Sequence, residues 1–426
     1  MARAPAIIVA LLALSLCSAA SPALKPSCSV LDYGAVGDNA TEGTGAVTAA
    51  IAACLTVVFP SPGVFLLRPV KLDAHDNLTL VIEAGAVLAA WRDVDTYNTT
   101  AAVSPLLWSD GYRPCGAGVG APPSLCPAPL RGFTLTGGGT IDGSGWRWWP
   151  FMKTRPRPML VSIAHAQRLL IQNVTLLDSP AFHIQVRGAD IEIADVTIRA
   201  GGCDGWASAP NTDGINIGGQ RIHVHDCFVH NGDDCVPTNV GYNETDSRDI
   251  LVERVTCECG TNGGVSIIAG KNNIIDVTYQ HMIVRNTNQG AGAKISEAYE
   301  EPSGRFENIT WRNITIQNPR YAAIYVNTLK EDSAAPQCVV PVNASRPARW
   351  LTATNLSFVD VRATVNTSAG AYAGCFACTP TSPCTGLVFD RVVVTDVAPA
   401  PAPPYYRCAN ADYAASASSP APCESR

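Results

Sequence analysis

From about residue 130 onward the chain repeats one unit: a short alternating apolar strand, an Asn or Asp turn, then a second short strand. Copies read RLLIQNVTLLDS from Arg168, ADIEIADVTIRA from Ala189, QRIHVHDCFVHN from Gln220 and RDILVERVTCEC from Arg248, with further copies from Asn272, Phe306, Trp350 and Leu387. They start 21 to 44 residues apart, which suits coils with a fixed core and variable loops. A short strand that recurs but cannot bury its apolar face alone has to stack on its neighbours. The pattern predicts an all-β chain, a single-stranded right-handed parallel β-helix with almost no helices. A β-sandwich or propeller would have tighter spacing and many two-residue hairpin turns, which are scarce here.

The ends differ from the body. Residues 1–23 read as an export signal: Arg3, an apolar run from Ala6 to Leu16, and the small residues Ser18, Ala19 and Ala20. Residues 24–396 form the solenoid domain, and the Ala-rich stretch from Gly43 to Thr56 has the spacing of a helix that would cap its open end. Residues 397–426 are rich in Pro, Ala and Ser and are expected to be irregular, held by Cys408 and Cys423. The expected location is therefore secreted or lumenal. With 30 Lys+Arg against 36 Asp+Glu, the formal charge of −6 gives no footprint for nucleic acid or an anionic membrane. A capped solenoid is expected to be a monomer.

Sixteen cysteines suit an oxidising compartment, and Cys17 falls in the signal, which leaves an odd number behind. Cys115 with Cys126 and Cys408 with Cys423 look like local staples. Cys257 with Cys259, and the trio Cys375, Cys378 and Cys384, have spacings that could hold zinc, but disulfides are favoured in such a compartment. Ten Asn-X-Ser/Thr sequons, among them Asn39, Asn77, Asn173, Asn243, Asn308, Asn313 and Asn366, fit an exported chain with many exposed turns.

Two acidic turns stand out: Asn211-Thr212-Asp213-Gly214 and Gly232-Asp233-Asp234-Cys235. Each alone is ordinary turn chemistry. Together they put Asp213 and Asp233 about one coil apart, hence on neighbouring rungs roughly 4.8 Å apart. Clustered carboxylates repel and raise at least one pKa, so stability alone would not select them. A hard-cation site and glycoside hydrolysis are the two uses that fit. The glycine-rich run Gly137 to Gly145 reads as turns in the solenoid wall, because a phosphate loop needs a strand-loop-helix setting. Trp146, Trp148 and Trp149 either stack on sugar or pack outside the solenoid, and Trp206, just before the first acidic turn, is a better candidate for a cleft wall.

These acidic turns, the run GGTIDGSGWRWW from Gly138, the segment from Arg157 to Val186 and the entry DYGAVGDNAT from Asp32 resemble the polygalacturonase family of pectin-cleaving glycoside hydrolases, family 28. The resemblance covers roughly residues 30–395. It implies a pectin-lyase-like solenoid, an acidic pectin-like polysaccharide as partner, and no metal or other cofactor. Asp233 matches the general acid that protonates the glycosidic oxygen. Asp213 and Asp234 match the pair that hold and deprotonate the attacking water, giving a single displacement with inversion. Asn211 is placed within the site, and Lys294 is matched to a cation that pairs with the sugar carboxylate.

The chain departs from the family at two places. Gly263 stands where the family has a histidine, and none of His223, His225 and His230 is an obvious substitute. Around Lys294, GAKIS replaces Arg-Ile-Lys, so one cation is missing. The bond-breaking acids are kept while galacturonate recognition is altered, which opens rhamnogalacturonan, xylogalacturonan or another acidic polysaccharide as substrate. A calcium-dependent β-helix lyase and a non-catalytic polysaccharide-binding solenoid with a decayed site are the competing functions.

Overall fold

The computed structural model describes residues 23–97, 103–109, 128–202, 209–239, 245–260, 263–269, 272–295, 303–328, 350–380, 382–398 and 405–423. Its strands pair in parallel from coil to coil, as the repeats require. Leu169, Ile191, Ile222, Ile250, Val277, Ile309 and Leu356 lie in register on successive rungs, forming one buried aliphatic column. A second column runs Ile171, Ile193, Val224, Val252, Tyr279, Trp311 and Phe358, so it changes from aliphatic to aromatic along the axis. Trp311 and Phe358 stack with centroids 4.7 Å apart, and Phe389 continues the stack 5.7 Å beyond. This is the right-handed parallel β-helix expected from the repeats.

The Asn/Asp turns of the repeat have a backbone reason. Asp190, Arg221, Asp249, Asp276, Asn308 and Asn355 occupy matching positions with φ of 54–58°. Asp195, Asp226, Asn313 and Asp360 do the same one strand later, at 52–56°. Asn and Asp tolerate this left-handed kink, which bends each coil between flat faces, and Arg221 adopts it within the same stack.

A helix forms over Thr44–Ala53, with Val47, Ala50 and Ile51 buried beside the strands Lys25–Ser29, Cys54–Phe59 and Val70–Lys71. The C-terminal segment, expected to be irregular, instead adds strands. Tyr406–Ala409 pairs with Tyr372–Ala377, and Ala411–Ser416 with Cys384–Asp390. Buried Tyr406 and exposed Tyr413 both pack on Phe389, with centroids 6.1 Å away in each case, so aromatic packing overrides the Pro/Ala-rich composition. Disulfides join Cys28 to Cys54, Cys235 to Cys257, Cys378 to Cys384 and Cys408 to Cys423, while Cys259 and Cys375 are also disulfide-bonded. Thiols so oxidised cannot be zinc thiolates. Among the described residues only Cys227 is a free, buried thiol, while Cys115, Cys126, Asn243 and residues 1–22 lie outside the described residues. No helix among the described residues is long and apolar enough to cross a membrane.

Candidate active site

The two acidic turns stack. Asp213 leads into the strand Ile215–His225, and Asp233 and Asp234 follow the strand Phe228–His230. Gly214 N–H donates to Asp234 O and Ile215 N–H to Cys235 O, both at 2.9 Å, and Ile217 lies opposite Thr238. Asp213 is thus in register with Asp234, one residue further along than the equal-coil expectation of Asp233. All three carboxylates still converge.

The glycines of the motifs permit this approach. A Cβ on Gly232 would lie 1.8 Å from Ala209 O, and one on Gly214 would lie 2.4 Å from Cys235 O. Asn231, fully buried, pins the two turns together by donating its amide to Thr212 O at 3.0 Å and Asp234 O at 2.8 Å.

Asp213, Asp233 and Asp234 are only 5%, 1% and 4% exposed, so their charges interact with little screening by water. Asp213 is pushed well above the usual carboxylate range by burial and then by the charges of Asp233 and Asp234. Its Oδ2 accepts from Asn216 at 3.0 Å, while its buried Oδ1 has no protein donor. Asp233 accepts from Asn211 Nδ2 at 3.3 Å, which puts Asn211 beside the aspartates. Lys294 sits with its Nζ 3.0 and 2.9 Å from the two oxygens of Asp234. Burial disfavours the Lys294 charge, but Asp234, with Tyr325 and Asp233, outweighs it, and the lysine pKa is raised.

Gly263 also meets Asp234, donating its N–H to Oδ1 at 2.8 Å. Any side chain at 263 would collide: its Cβ would fall 1.7 Å from Ser266 Oγ and 2.4 Å from Tyr325 Oη. The absent histidine therefore reflects a space already filled by two hydroxyls.

Two further residues reach the site, both from the segment between Arg157 and Val186. Arg157 donates to the carbonyls of Pro180, at 2.7 Å, and Pro210. Burial lowers its pKa, and the fields of Asp233 and Asp213 hold it up. His183, fully buried one rung before Asp213, accepts the Ser179 N–H at Nε2, so Nδ1 carries the proton given to Asp213 O at 3.1 Å. Burial lowers the His183 pKa to about 4. His223, His225 and His230 instead pair with Glu253, Asp226 and Glu258 on the sheet face. His230, Glu258 and Cys259 converge like metal ligands, but the Cys259 sulfur is already oxidised.

The tryptophans divide. Trp148 is buried against Tyr97, and Trp149 donates to Ser179 O at 3.1 Å. Trp146 is 54% exposed and lines a cleft of about 730 Å³ with Trp91, Phe151, Arg92 and Arg147, on coils before the aspartates. Trp206 lies outside the described residues.

Chemically, the site combines an anion clamped by an ammonium, a second carboxyl biased toward its protonated form, and a third beside them. Paired carboxyl groups in different protonation states are what acid-base cleavage of a glycoside needs. The bidentate lysine already satisfies both oxygens of Asp234, which a hard cation would otherwise claim.

Comparison with known proteins places the chain. A probable polygalacturonase of Arabidopsis thaliana is 26% identical over 378 residues, covering 84% of this chain and 71% of its own. A polygalacturonase of Chamaecyparis obtusa is 27% identical over 280 residues, covering 62% of this chain and half of its own length. Among solved structures, the endo-xylogalacturonan hydrolase of Aspergillus tubingensis superposes with a TM-score of 0.68 at 18% identity, covering 92% of this chain and 100% of that one. An exopolygalacturonase of Thermotoga maritima superposes with a TM-score of 0.66 at 17% identity, covering 93% and 92%. These two share the fold. The profile of glycosyl hydrolases family 28 matches residues 126–419, and the chain, a glycoside hydrolase, belongs to that family.

Proposed function

We propose that the protein hydrolyses an acidic, pectin-like polysaccharide, galacturonan first among the candidates, by a single inverting displacement. The observation that carries this reading is the convergence of Asp213, Asp233 and Asp234 in one buried site. Asp233 is the general acid. Asp213 and Asp234 hold the attacking water, and Asp213, once ionised, takes its proton: its Oδ1 is the acceptor left without a protein donor. Asn211 orients Asp233, and Arg157 supplies positive charge beside Asp233 and Asp213.

Lys294 is engaged with Asp234 and so acts on the sugar carboxylate only as part of that pair. The family names of the relatives support galacturonan, and the disulfides support export of the chain.

The test is reducing-end release from polygalacturonate, rhamnogalacturonan and xylogalacturonan by the native protein and Asp233→Asn, with and without a chelator. Cleavage of one polymer, unaffected by chelation and lost in the variant, supports the reading. Equal inertness of both proteins, with binding to a polymer retained, would replace it with a binding module.

A further inference from the structure

Tyr325 reaches the site from the strand Ala322–Asn327, which lies next to Gln289–Ile295, itself next to Gly263–Ala269. It is 2% exposed and stands apart from the main core, in a small cluster with Ala322, Cys375 and Ala377. Its hydroxyl lies 2.9 Å from Ser266 Oγ, which lies 3.3 Å from Asp234 Oδ1. The direction of the two protons is fixed by chemistry. An ionised carboxylate only accepts, so Ser266 gives its proton to Asp234 and receives that of Tyr325. Each bond polarises the next and strengthens it.

We infer that Tyr325 is a positioning residue for the hydrolysis: acting through Ser266, it fixes the orientation of Asp234. The inference rests on the reading of the three aspartates given above. Gly263 is part of the same device, because only a residue without a side chain leaves room for both hydroxyls while its N–H also serves Asp234. The titratable groups facing Asp234 are Asp213 and Asp233 on the stacked turns, Lys294 from Gln289–Ile295, Tyr279 from Ile274–Arg285 and Tyr325. Arg157 faces the other two aspartates. Tyr279 is committed elsewhere, with its hydroxyl 3.1 Å from the main-chain oxygens of Val236 and Ser266 and 2.7 Å from Thr238 Oγ1.

The experiment compares Tyr325→Phe, Ser266→Ala and the double variant on whichever polymer the native protein cuts, measuring kcat, KM and thermal midpoint. Tyr325→Phe is expected to lower kcat about five- to tenfold with KM unchanged. Ser266→Ala should do the same, and the double variant should be no worse than Ser266→Ala, because both cut one relay. Ser266→Ala leaves the packed ring untouched, so it carries the test alone if Tyr325→Phe misfolds.

An unchanged kcat in Tyr325→Phe or Ser266→Ala, a rise in KM in place of a fall in kcat, or losses that add in the double variant, overturns the inference. Asp234→Asn separates the two levels. If it stays active, the aspartate reading fails. If it is inactive while the relay variants match the native enzyme, only the relay fails.

Discussion

Lys294 and Asp234 form a bidentate ion pair across 60 residues of sequence, with side chains only 22% and 5% exposed. Removing one partner of such a pair strands the other charge where water reaches it poorly. Lys294→Met is expected to cost about 3 kcal/mol in stability and to lower activity. Urea denaturation checks the first outcome and reducing-end release the second. A variant as stable as the native protein would show that water screens the pair.

Asp213 makes stability depend on pH in a particular sense. Its native pKa lies above the unfolded value, so the native state holds the proton more tightly, and stability falls as pH rises from about 4 through the raised native pKa. Asp213→Asn should therefore be the more stable protein at neutral pH, by about 1 kcal/mol or more, while being inactive. Its advantage should vanish near pH 3 in melts across the range.

His183 works in the opposite direction. Its native pKa is about 4, below the unfolded value, so stability drops as pH falls through roughly 6.5 toward 4. His183→Gln should flatten that part of the stability profile. An unchanged slope would mean that other groups take up the protons.

Gly263→Ala tests how tightly the hydroxyl pair fills its space. With Ser266 Oγ and Tyr325 Oη both inside van der Waals contact of the new methyl, the variant should lose about 1–3 kcal/mol and most of its activity. Thermal melts and an activity assay report both.

Cys227 provides a chemical readout of folding. Burial pushes its thiol up to about 12, so the native protein should resist a thiol reagent near neutral pH and react once unfolded. Rapid labelling of that residue in the folded state, followed by peptide mapping, would contradict its placement.

The repeats make the solenoid legible because their signal is doubly redundant: inward Ile, Leu and Val at fixed places, and Asn or Asp at left-handed kinks such as Asp190 and Asn308. The aspartates are legible because both motifs lie in short turns one coil apart. Contacts set by the reach of a long side chain are not. Nothing local in the sequence tells Lys294 to turn to Asp234, or brings Arg157 beside Asp213 and Asp233 from two coils before. His183 escapes a reading of the sequence for a related reason, since it meets the backbone of Asp213 across coils. The C-terminal strands are hidden by composition: two tyrosines decide a segment whose remaining residues favour loops.

The stacking that builds the site also insulates it. Each coil leans only on its neighbours, and the coils that carry Asp213, Asp234 and Lys294 lie well inside the stack, with Lys25–Ser29 toward one end and Ala411–Ser416 toward the other. In a quasi-linear molecule of this kind, unfolding can begin as fraying at a terminus and stop there. The outermost turns serve as sacrificial windings, and an enzyme that has lost part of its last coil still presents its three carboxylates in register.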